Sequence, residues 1–244
     1  MAGTTITAGE GADSLMLKDN ALKLGGTNER TVIYLGSGND TLVGTGAVAG
    51  TDITSSAGDN VIDLGDASGS ASDVTITLGS GADKVTMDGI GAKTTVKLAA
   101  GNDTFTISDN SDVATLYGGE GTDSIVFSEA GQAAGDAFFD DVSGFEFVSF
   151  TPGNNDVDVT LGTNAQATGI VKASVTGTNG GIIASGYTTA IHLIAAGTDN
   201  DLTGGGGADT LVGGTGVNEI ATGAGNDTIT GGAGNDVFTI DGVG

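Results

Sequence analysis

The sequence has no cysteine, no tryptophan and a single proline among its 244 residues. Without cysteine the chain forms no disulfide bonds and has no thiol nucleophile or zinc–thiolate site. Aromatic residues make up only 5% of the chain, so a thick core of large side chains is not expected. Another interaction must therefore stabilise the fold.

Basic residues are scarce as well: 7 lysines and arginines stand against 31 acidic residues, and the formal net charge is −24. This balance argues against binding to nucleic acids or anionic membranes, which needs clustered lysine and arginine. The longest apolar runs, such as Ile191 to Ala196, fall far short of the roughly 20 residues that cross a bilayer. The N-terminus lacks the basic and apolar regions of a cleaved signal peptide. We therefore expect no transmembrane segment, and export without a cleaved N-terminal signal.

Glycine, by contrast, is abundant at 46 residues, and its placement is periodic. Near the C-terminus the units GGGGADTLV, GGTGVNEIA, TGAGNDTIT and GGAGNDVFT follow one another directly. Large apolar residues recur there every nine positions, at Leu193, Leu202, Leu211, Ile220, Ile229 and Phe238. A flexible acidic linker has no reason to keep apolar groups in register, so this pattern predicts a repeat fold.

Residues 1–126 contain a longer version of the same repeat. Each copy has an Asp or Asn, which we call the slot residue, with glycine two positions before it and apolar residues two after and seven before. The slot residues of these copies are Asp13, Asp40, Asn60, Asp83, Asp103 and Asp123. Flanking segments such as Val74 to Leu78 alternate apolar residues with threonine, which is typical of a half-buried strand. The sequence thus predicts an all-β protein, a parallel β-roll or β-solenoid with a thin aliphatic interior.

The turns of this repeat have the composition of a calcium site. In the segment from Gly36 to Asp40, the glycines allow positive φ, so that backbone carbonyls point to one place, and the aspartate adds a carboxylate. Like charges about 5 Å apart in successive strands repel by about 0.8 kcal/mol even in bulk water, and a cation between them reverses the sign. Ligand sets made only of oxygen favour calcium over zinc or copper, and magnesium fits less well. We expect several Ca²⁺ ions in the glycine–aspartate turns.

The unit G-G-x-G-x-D-x-U-x resembles the repeats-in-toxin (RTX) nonapeptide, which forms a parallel β-roll that binds calcium. Residues Gly204 to Val212, Gly231 to Thr239 and Gly118 to Val126 match it, and Thr222 to Thr230 departs only at the first glycine. The resemblance implies that the slot acid and the carbonyls of neighbouring glycines are metal ligands. Carried over by position, the acids are Asp13, Asp40, Asp83, Asp103, Asp123, Asp209, Asp227 and Asp236.

Two turns carry asparagine in the slot: Asn60, which follows Asp59, and Asn218. Asp59, Asn60 and Asn218 are the candidate side-chain ligands of these turns, where calcium is expected to bind more weakly because the slot carboxylate is missing. The glycines whose carbonyls complete the predicted sites are Gly36, Gly38, Gly81, Gly101, Gly119, Gly121, Gly205, Gly207, Gly223, Gly225, Gly232 and Gly234.

The repeats divide the chain into three predicted regions. Residues 1–126 form a solenoid with coils of about 20 residues, residues 127–196 a calcium-poor continuation, and residues 197–244 a nonapeptide β-roll. Five of the eight phenylalanines fall within 138–150, at Phe138, Phe139, Phe145, Phe147 and Phe150. This cluster is either an internal plug or an adhesive patch for a neighbouring subunit, and aromatic clusters usually pack internally.

A catalytic role is not expected from the sequence. The only histidine, His192, lies in a strand-like apolar run, and there is no G-x-S-x-G elbow or phosphate-binding G-x-x-x-x-G-K-[ST] motif. One hypothesis is a β-helical polysaccharide-modifying enzyme, but the three tyrosines are too scattered to form the aromatic surfaces on which such enzymes bind sugar rings. We expect the chain not to be an enzyme.

A second likeness concerns biological role. Coils of about 20 residues that interrupt short nonapeptide arrays, followed by the segment from Asp141 to Phe147, are similar to the calcium-dependent surface-layer proteins of Gram-negative bacteria. This implies a calcium-binding structural protein of an extracellular lattice, filament or matrix. Its expected partners are copies of itself and a cell-surface polysaccharide. The alternative is a calcium-triggered folding and secretion module of a larger exported toxin, adhesin or hydrolase.

Overall fold

The computed structural model describes residues 4–17, 30–45, 49–66, 72–89, 93–109, 115–128, 135–151 and 158–242. The chain divides into two compact units. The first contains residues 1–125 and 141–145, and the second contains residues 126–140 and 146–244. Within the described residues, no helix is long and apolar enough to cross a bilayer.

The strands of the first unit alternate between two sheets along the chain. They are β1 (Thr5–Glu10), β2 (Ser14–Leu17), β3 (Thr31–Ser37), β4 (Thr41–Thr45), β5 (Ala49–Ala57), β6 (Val61–Asp66), β7 (Ser72–Thr77), β8 (Lys84–Gly89), β9 (Thr95–Gly101), β10 (Thr104–Asp109), β11 (Thr115–Gly121), β12 (Ser124–Phe127) and β13 (Val142–Ser143). The last two residues of β12, Val126 and Phe127, are counted with the second unit. Odd-numbered strands follow one another in one sheet, and even-numbered strands up to β12 in the other. This is the strand–turn–strand coil of a parallel solenoid, and it confirms the predicted fold class.

The apolar rows expected from the sequence form the interior of the first unit. Ile33, Ile53 and Ile76 are paired neighbours in parallel strands, and each is 0% exposed. In the opposite sheet Leu42 pairs with Ile62, and the row is equally buried. Each such side chain contributes about 1.5–3 kcal/mol when it leaves water, so a thin aliphatic row suffices for the core.

The second unit has the same kind of architecture with shorter strands. Its elements are a 3₁₀ helix (Asp136–Phe139), β14 (Phe147–Phe150), β15 (Asp158–Thr160), α1 (Thr163–Thr168), β16 (Lys172–Val175), β17 (Gly181–Ile183), β18 (His192–Ala195), β19 (Asp201–Thr203), β20 (Thr210–Val212), β21 (Glu219–Ala221), β22 (Thr228–Thr230) and β23 (Val237–Thr239). Strands β14, β16, β18, β20 and β22 follow one another in one sheet, and β15, β17, β19, β21 and β23 in the other. Because each nine-residue repeat supplies one strand, the apolar residues of successive repeats lie alternately in the two sheets.

Burial in the second unit decreases towards its C-terminal coil. Leu202 and Leu211 are 0% exposed and Ile220 1%, whereas Phe238 of the same nine-residue series is 47% exposed. Nearby Val237 and Ile240 are exposed to a similar extent. The final coil therefore presents an apolar surface.

The phenylalanines of the second unit pack against one another. The rings of Phe127 and Phe150 stack with centroids 4.9 Å apart, and Phe138 contacts Phe127 edge-on at the same distance. Phe139 and Phe150 are almost fully buried. In the first unit Phe145 is also buried, whereas Phe147 is half-buried. Most of these rings thus contribute to internal packing.

Helix α1 has no counterpart in the repeat pattern. Its N-terminus is held by Asp136, whose carboxylate accepts hydrogen bonds from the N–H groups of Gly162, Asn164 and Ala165 at 2.7, 3.1 and 2.9 Å. A carboxylate at this position pairs the free N–H groups of the first helical turn. Helix α1 ends at Gly169, which has φ of 113°.

Candidate metal centre

The slot residues of the first unit lie in the turns between consecutive strands. Asp40 lies between β3 and β4, and Asp103 lies between β9 and β10. Their side chains are buried, with Asp40 and Asp103 1% exposed and Asn60 and Asp83 0% exposed. The sequence predicted turn carboxylates at these positions, but it did not indicate that the coils on either side bury them.

A row of hydrogen bonds joins the slot residues from coil to coil. In each case the backbone N–H of one slot residue donates to Oδ1 of the slot residue in the next coil. The pairs are Asp13 to Asp40 (2.9 Å), Asp40 to Asn60 (3.2 Å), Asn60 to Asp83 (2.8 Å), Asp83 to Asp103 (2.8 Å) and Asp103 to Asp123 (2.8 Å). The turns are therefore stacked in a single row, with one side-chain oxygen of each acceptor already used.

The second carboxylate oxygen is in a different situation. The Oδ2 atoms of Asp13, Asp40, Asp83 and Asp103 are buried and accept no hydrogen bond. An ionised carboxylate in this state is costly, by several kcal/mol or more, unless a positive partner or a proton compensates it. These residues fit a bound cation, because a cation placed at Oδ2 supplies the missing partner.

Backbone carbonyls form a second row of oxygens beside the carboxylates. A β-carbon on Gly38 would overlap the carbonyl oxygen of Gly11, and one on Gly121 would overlap that of Gly101. Both glycines have positive φ, 124° and 135°. The same overlap occurs at every other predicted glycine ligand of the first unit, namely Gly36, Gly81, Gly101 and Gly119. Glycine is needed here for backbone conformation and for close approach of the next coil.

The second unit has two rows of slot residues, because its repeats alternate between turns on opposite sides. In one row Asp209 donates its backbone N–H to Oδ1 of Asp227 at 2.9 Å. In the other, Asn218 donates its backbone N–H to Oδ1 of Asp236 at 3.1 Å. Unlike Asp40, Asp83 and Asp103, Asp209 has a hydrogen-bonded Oδ2, which accepts the N–H of Gly205 at 2.7 Å.

Glycines of the second unit make the same close approaches. A β-carbon on any of them would overlap backbone atoms of another coil; they are Gly205, Gly207, Gly223, Gly225, Gly232 and Gly234. The last four have positive φ, between 77° and 141°. For Gly205 and Gly207, close packing against the backbone of Tyr187 and Thr189 is the reason for glycine.

One member of the second row was missed by the sequence analysis. Asn200 is 0% exposed and donates its backbone N–H to Oδ1 of Asn218 at 3.1 Å, so it is a slot residue. Thr198 occupies the position two residues before the slot, where the repeat has glycine. The turn was therefore not recognised from the sequence. Counting back nine residues from Asp209 would have identified it.

Asp59 does not belong to the buried row. Its side chain is exposed, and Oδ1 accepts the N–H of Ala82 at 2.8 Å. Its own N–H donates to Oδ1 of Asn39 at 2.8 Å. Asp59 therefore joins neighbouring turns on their outer side, next to the slot of Asn60.

The acidic side chains do not form a metal cluster by themselves. Among the described residues, no group of three or more His, Asp or Glu side chains is arranged to hold a metal ion. A cation in these turns must therefore be bound by one or two carboxylates together with backbone carbonyls. Such mixed oxygen sets are suited to calcium, which accepts six to eight oxygens in flexible geometry.

Burial changes the acidity of the slot residues. It raises the pKa of Asp103 to about 6, although the hydrogen bond from the Asp83 backbone N–H opposes this effect. Burial also raises the pKa of Asp83, opposed by hydrogen bonds from Asn60. Both shifts describe the metal-free protein, in which the neutral acid is the form better suited to the turn.

The stability of the calcium-free protein should depend on pH. Because the pKa of Asp103 is raised, its carboxyl group stabilises the fold fully below its ordinary pKa of about 3.9, and this contribution is lost as the pH rises through about 6. Once calcium has been removed at neutral pH by EGTA and dialysis, lowering the pH from 7 to 5 in calcium-free buffer should therefore restore part of the β-sheet signal in circular dichroism. In saturating calcium the melting temperature should instead fall between pH 7 and pH 5, because protons compete with the metal. An unchanged β-sheet signal in the calcium-free protein would contradict the assignment.

His192 lies outside these rows. It is half-buried on β18 beside Lys172 of the neighbouring strand. Burial, with a smaller contribution from the Lys172 charge, lowers the pKa of its imidazole. The side chain is thus biased towards the neutral form.

The turns match one known family profile. The RTX calcium-binding nonapeptide repeat is found in four copies, over residues 26–47, 193–218 and 203–238. These residues include the slots of Asp40, Asp209, Asp227 and Asp236. Searches among curated proteins and among solved structures found no match.

Proposed function

Because the chain carries RTX calcium-binding nonapeptide repeats folded as a parallel β-solenoid, we propose that it is a structural protein of an extracellular lattice, filament or matrix, similar to surface-layer proteins. Calcium drives its folding and its assembly. The observation that carries the proposal is the row of slot carboxylates in which the buried Oδ2 atoms of Asp13, Asp40, Asp83 and Asp103 have no hydrogen-bond partner.

The ions are held in the glycine–aspartate turns of both units. In the first unit the ligands are Oδ2 of the slot aspartates and carbonyls of the glycine row. In the second unit the carboxylates of Asp209, Asp227 and Asp236 bind the ions together with glycine carbonyls, and at Asp209 the ion shares Oδ2 with the N–H of Gly205. Asn60 and Asn218 lack a carboxylate, which makes their turns the weakest sites. Bound calcium compensates the buried negative charge, so that metal binding contributes directly to folding.

The structural role is supported by the distribution of the strands. All strands of the described residues belong to the parallel sheets of the two units, and the repeat accounts for most of these strands. We therefore propose that the protein is not an enzyme. Its location is extracellular, at the cell surface, where millimolar calcium is present and where a surface polysaccharide is a candidate partner.

The exposed apolar coil of the second unit supports self-association. Val237, Phe238 and Ile240 are each about half exposed, and strand β23 is the last strand of its sheet. An unpaired strand edge with apolar side chains favours pairing with a further strand, from the same chain or from another. In the proposed lattice another copy of the protein covers this surface.

The same surface supports the alternative function, an RTX folding and secretion module of a larger exported toxin, adhesin or hydrolase. In that case another part of the larger protein covers Phe238 and its neighbours. Electron microscopy and light scattering with and without millimolar calcium distinguish the two. Calcium-dependent sheets or fibres would support the lattice, whereas a monomer in calcium would favour the module.

The substitution Asp227→Ala tests how locally the metal acts. It removes a slot carboxylate and the acceptor for the N–H of Asp209, so the second unit should bind less calcium and melt at a lower temperature. The first unit should stay folded, because coils of a solenoid interact mainly with their neighbours. Hydrogen exchange resolves the two units, and Asn226→Ala, at an exposed neighbouring position, is the control. Loss of protection throughout the chain would contradict this prediction.

A further inference from the structure

Asparagine and aspartate occupy the same slot but make different hydrogen bonds. The Nδ2 group of Asn60 donates to the carbonyl of Gly58 at 2.8 Å, to Oδ1 of Asp83 at 2.8 Å and to Ser55 Oγ at 3.2 Å. At the next slot, Oδ2 of Asp83 is buried without any hydrogen bond. The amide therefore fills a position that a carboxylate oxygen leaves uncompensated.

Two slot amides of the second unit also donate to backbone carbonyls, although these carbonyls lie in other turns. Nδ2 of Asn218 donates to Oδ1 of Asp236 at 2.9 Å and to the carbonyl of Gly231 at 3.3 Å. Nδ2 of Asn200 donates to the carbonyl of Gly177 at 3.2 Å. In all three turns the Nδ2 group of the amide donates a hydrogen bond to a backbone carbonyl oxygen. Backbone carbonyl oxygens are also the atoms that would bind a cation together with a slot carboxylate.

We infer that the slot amides of Asn60, Asn200 and Asn218 take the place of a calcium ion, so that their turns close without metal. The chain then contains coils whose slot aspartate needs a cation to compensate Oδ2, as at Asp40, Asp83 and Asp103, and asparagine coils, which need none. In the first unit Asn60 lies between Asp40 and Asp83 in the hydrogen-bonded row. Asn60 therefore separates the calcium sites of that unit into two groups. Because its turn needs no metal, the coils around Asn60 stack on each other before calcium binds.

The amide role is tested by comparing two replacements of one slot aspartate. Asp103→Asn keeps the acceptor for the Asp83 N–H and adds a donor, whereas Asp103→Ala removes the acceptor and adds nothing. In saturating calcium, the melting temperature of Asp103→Asn should stay within about 3 °C of the wild type, and that of Asp103→Ala should fall by roughly 4–10 °C. Both variants should bind less calcium in equilibrium dialysis. Equal melting temperatures for the two variants would overturn the inference.

A second comparison in EGTA separates the amide from simple loss of charge. Trimethylamine N-oxide favours compact states, so its concentration at half-folding can be measured even where the calcium-free protein is unfolded. Asp103→Asn should fold at a lower concentration than the wild type, and Asn60→Asp at a higher one. Glu120→Gln, which removes one charge from an exposed side chain of the same unit, should shift the midpoint less. An equal shift for Glu120→Gln would assign the effect to net charge.

The reverse substitution tests whether an aspartate in the slot binds calcium where asparagine does not. This part of the inference rests on the proposed calcium binding. Asn60→Asp should raise the amount of calcium bound per chain in equilibrium dialysis, and an unchanged amount would refute that part. If the wild type itself binds no calcium, the proposed function fails. The comparison of Asp103→Asn with Asp103→Ala would still decide whether the amide closes the turn.

Discussion

Removal of calcium with EGTA at neutral pH is expected to unfold most of the chain. The net charge is −24, and without calcium the slot carboxylates of Asp40, Asp83 and Asp103 are buried with Oδ2 unpartnered. The combined cost of several such groups is comparable with the roughly 5–15 kcal/mol that stabilises a typical domain. Circular dichroism should show loss of the β-sheet signal, and small-angle scattering an expanded chain.

Two controls assign this unfolding to calcium. Adding back calcium should restore the β-sheet signal, whereas magnesium at the same concentration should restore much less, because it requires tighter octahedral geometry. High salt in EGTA should recover only part of the structure, since screening acts weakly on buried charges. A chain that keeps its sheet signal and its size after exhaustive dialysis against EGTA would refute the requirement for calcium.

The second large effect is expected for Gly121→Ala in the carbonyl row. The β-carbon would overlap the carbonyl oxygen of Gly101, and φ of 135° is unfavourable for any L-residue with a side chain. Overpacking and backbone strain together should destabilise the fold by about 2–5 kcal/mol. The turn would also separate from its neighbour, so the calcium concentration needed for folding should rise.

Gly135→Ala provides the matched control for this substitution. Gly135 has φ of −79°, and nothing lies within 4 Å of an added β-carbon. Its replacement should change stability little or even increase it slightly. Urea unfolding in saturating calcium measures both variants. Equal stability of Gly121→Ala and Gly135→Ala would show that the close approach of the coils is not required.

The repeat register could be read from the sequence because it depends on local chemistry. Ile33, Ile53 and Ile76 occur at the same offset from their slot residues, and the structure pairs them across adjacent strands. One-sided burial makes such a register strongly specified, since a shift by one residue would turn every apolar side chain outwards. Positive φ at Gly38 and Gly121 was likewise predictable from the turn sequence.

Other features depend on contacts between coils that no single repeat contains. Helix α1 departs from the repeat, and its N-terminus depends on Asp136, which is 27 residues before Thr163 in the sequence. Asn200 became recognisable as a slot residue through its hydrogen bond to Asn218. The exposure of Phe238 departs from the burial of its series, because β23 has a neighbouring strand on only one side.

The sequence by itself determined the all-β solenoid, its register and the oxygen-rich turns, because apolar and glycine positions recur at constant offsets from each slot. Only the tertiary structure decided which oxygens are satisfied. The same slot position supports a paired amide in Asn60 and a buried, unpartnered Oδ2 in Asp83. That difference arises when coils stack, because stacking removes water from the turns and brings each slot side chain against the backbone of its neighbours.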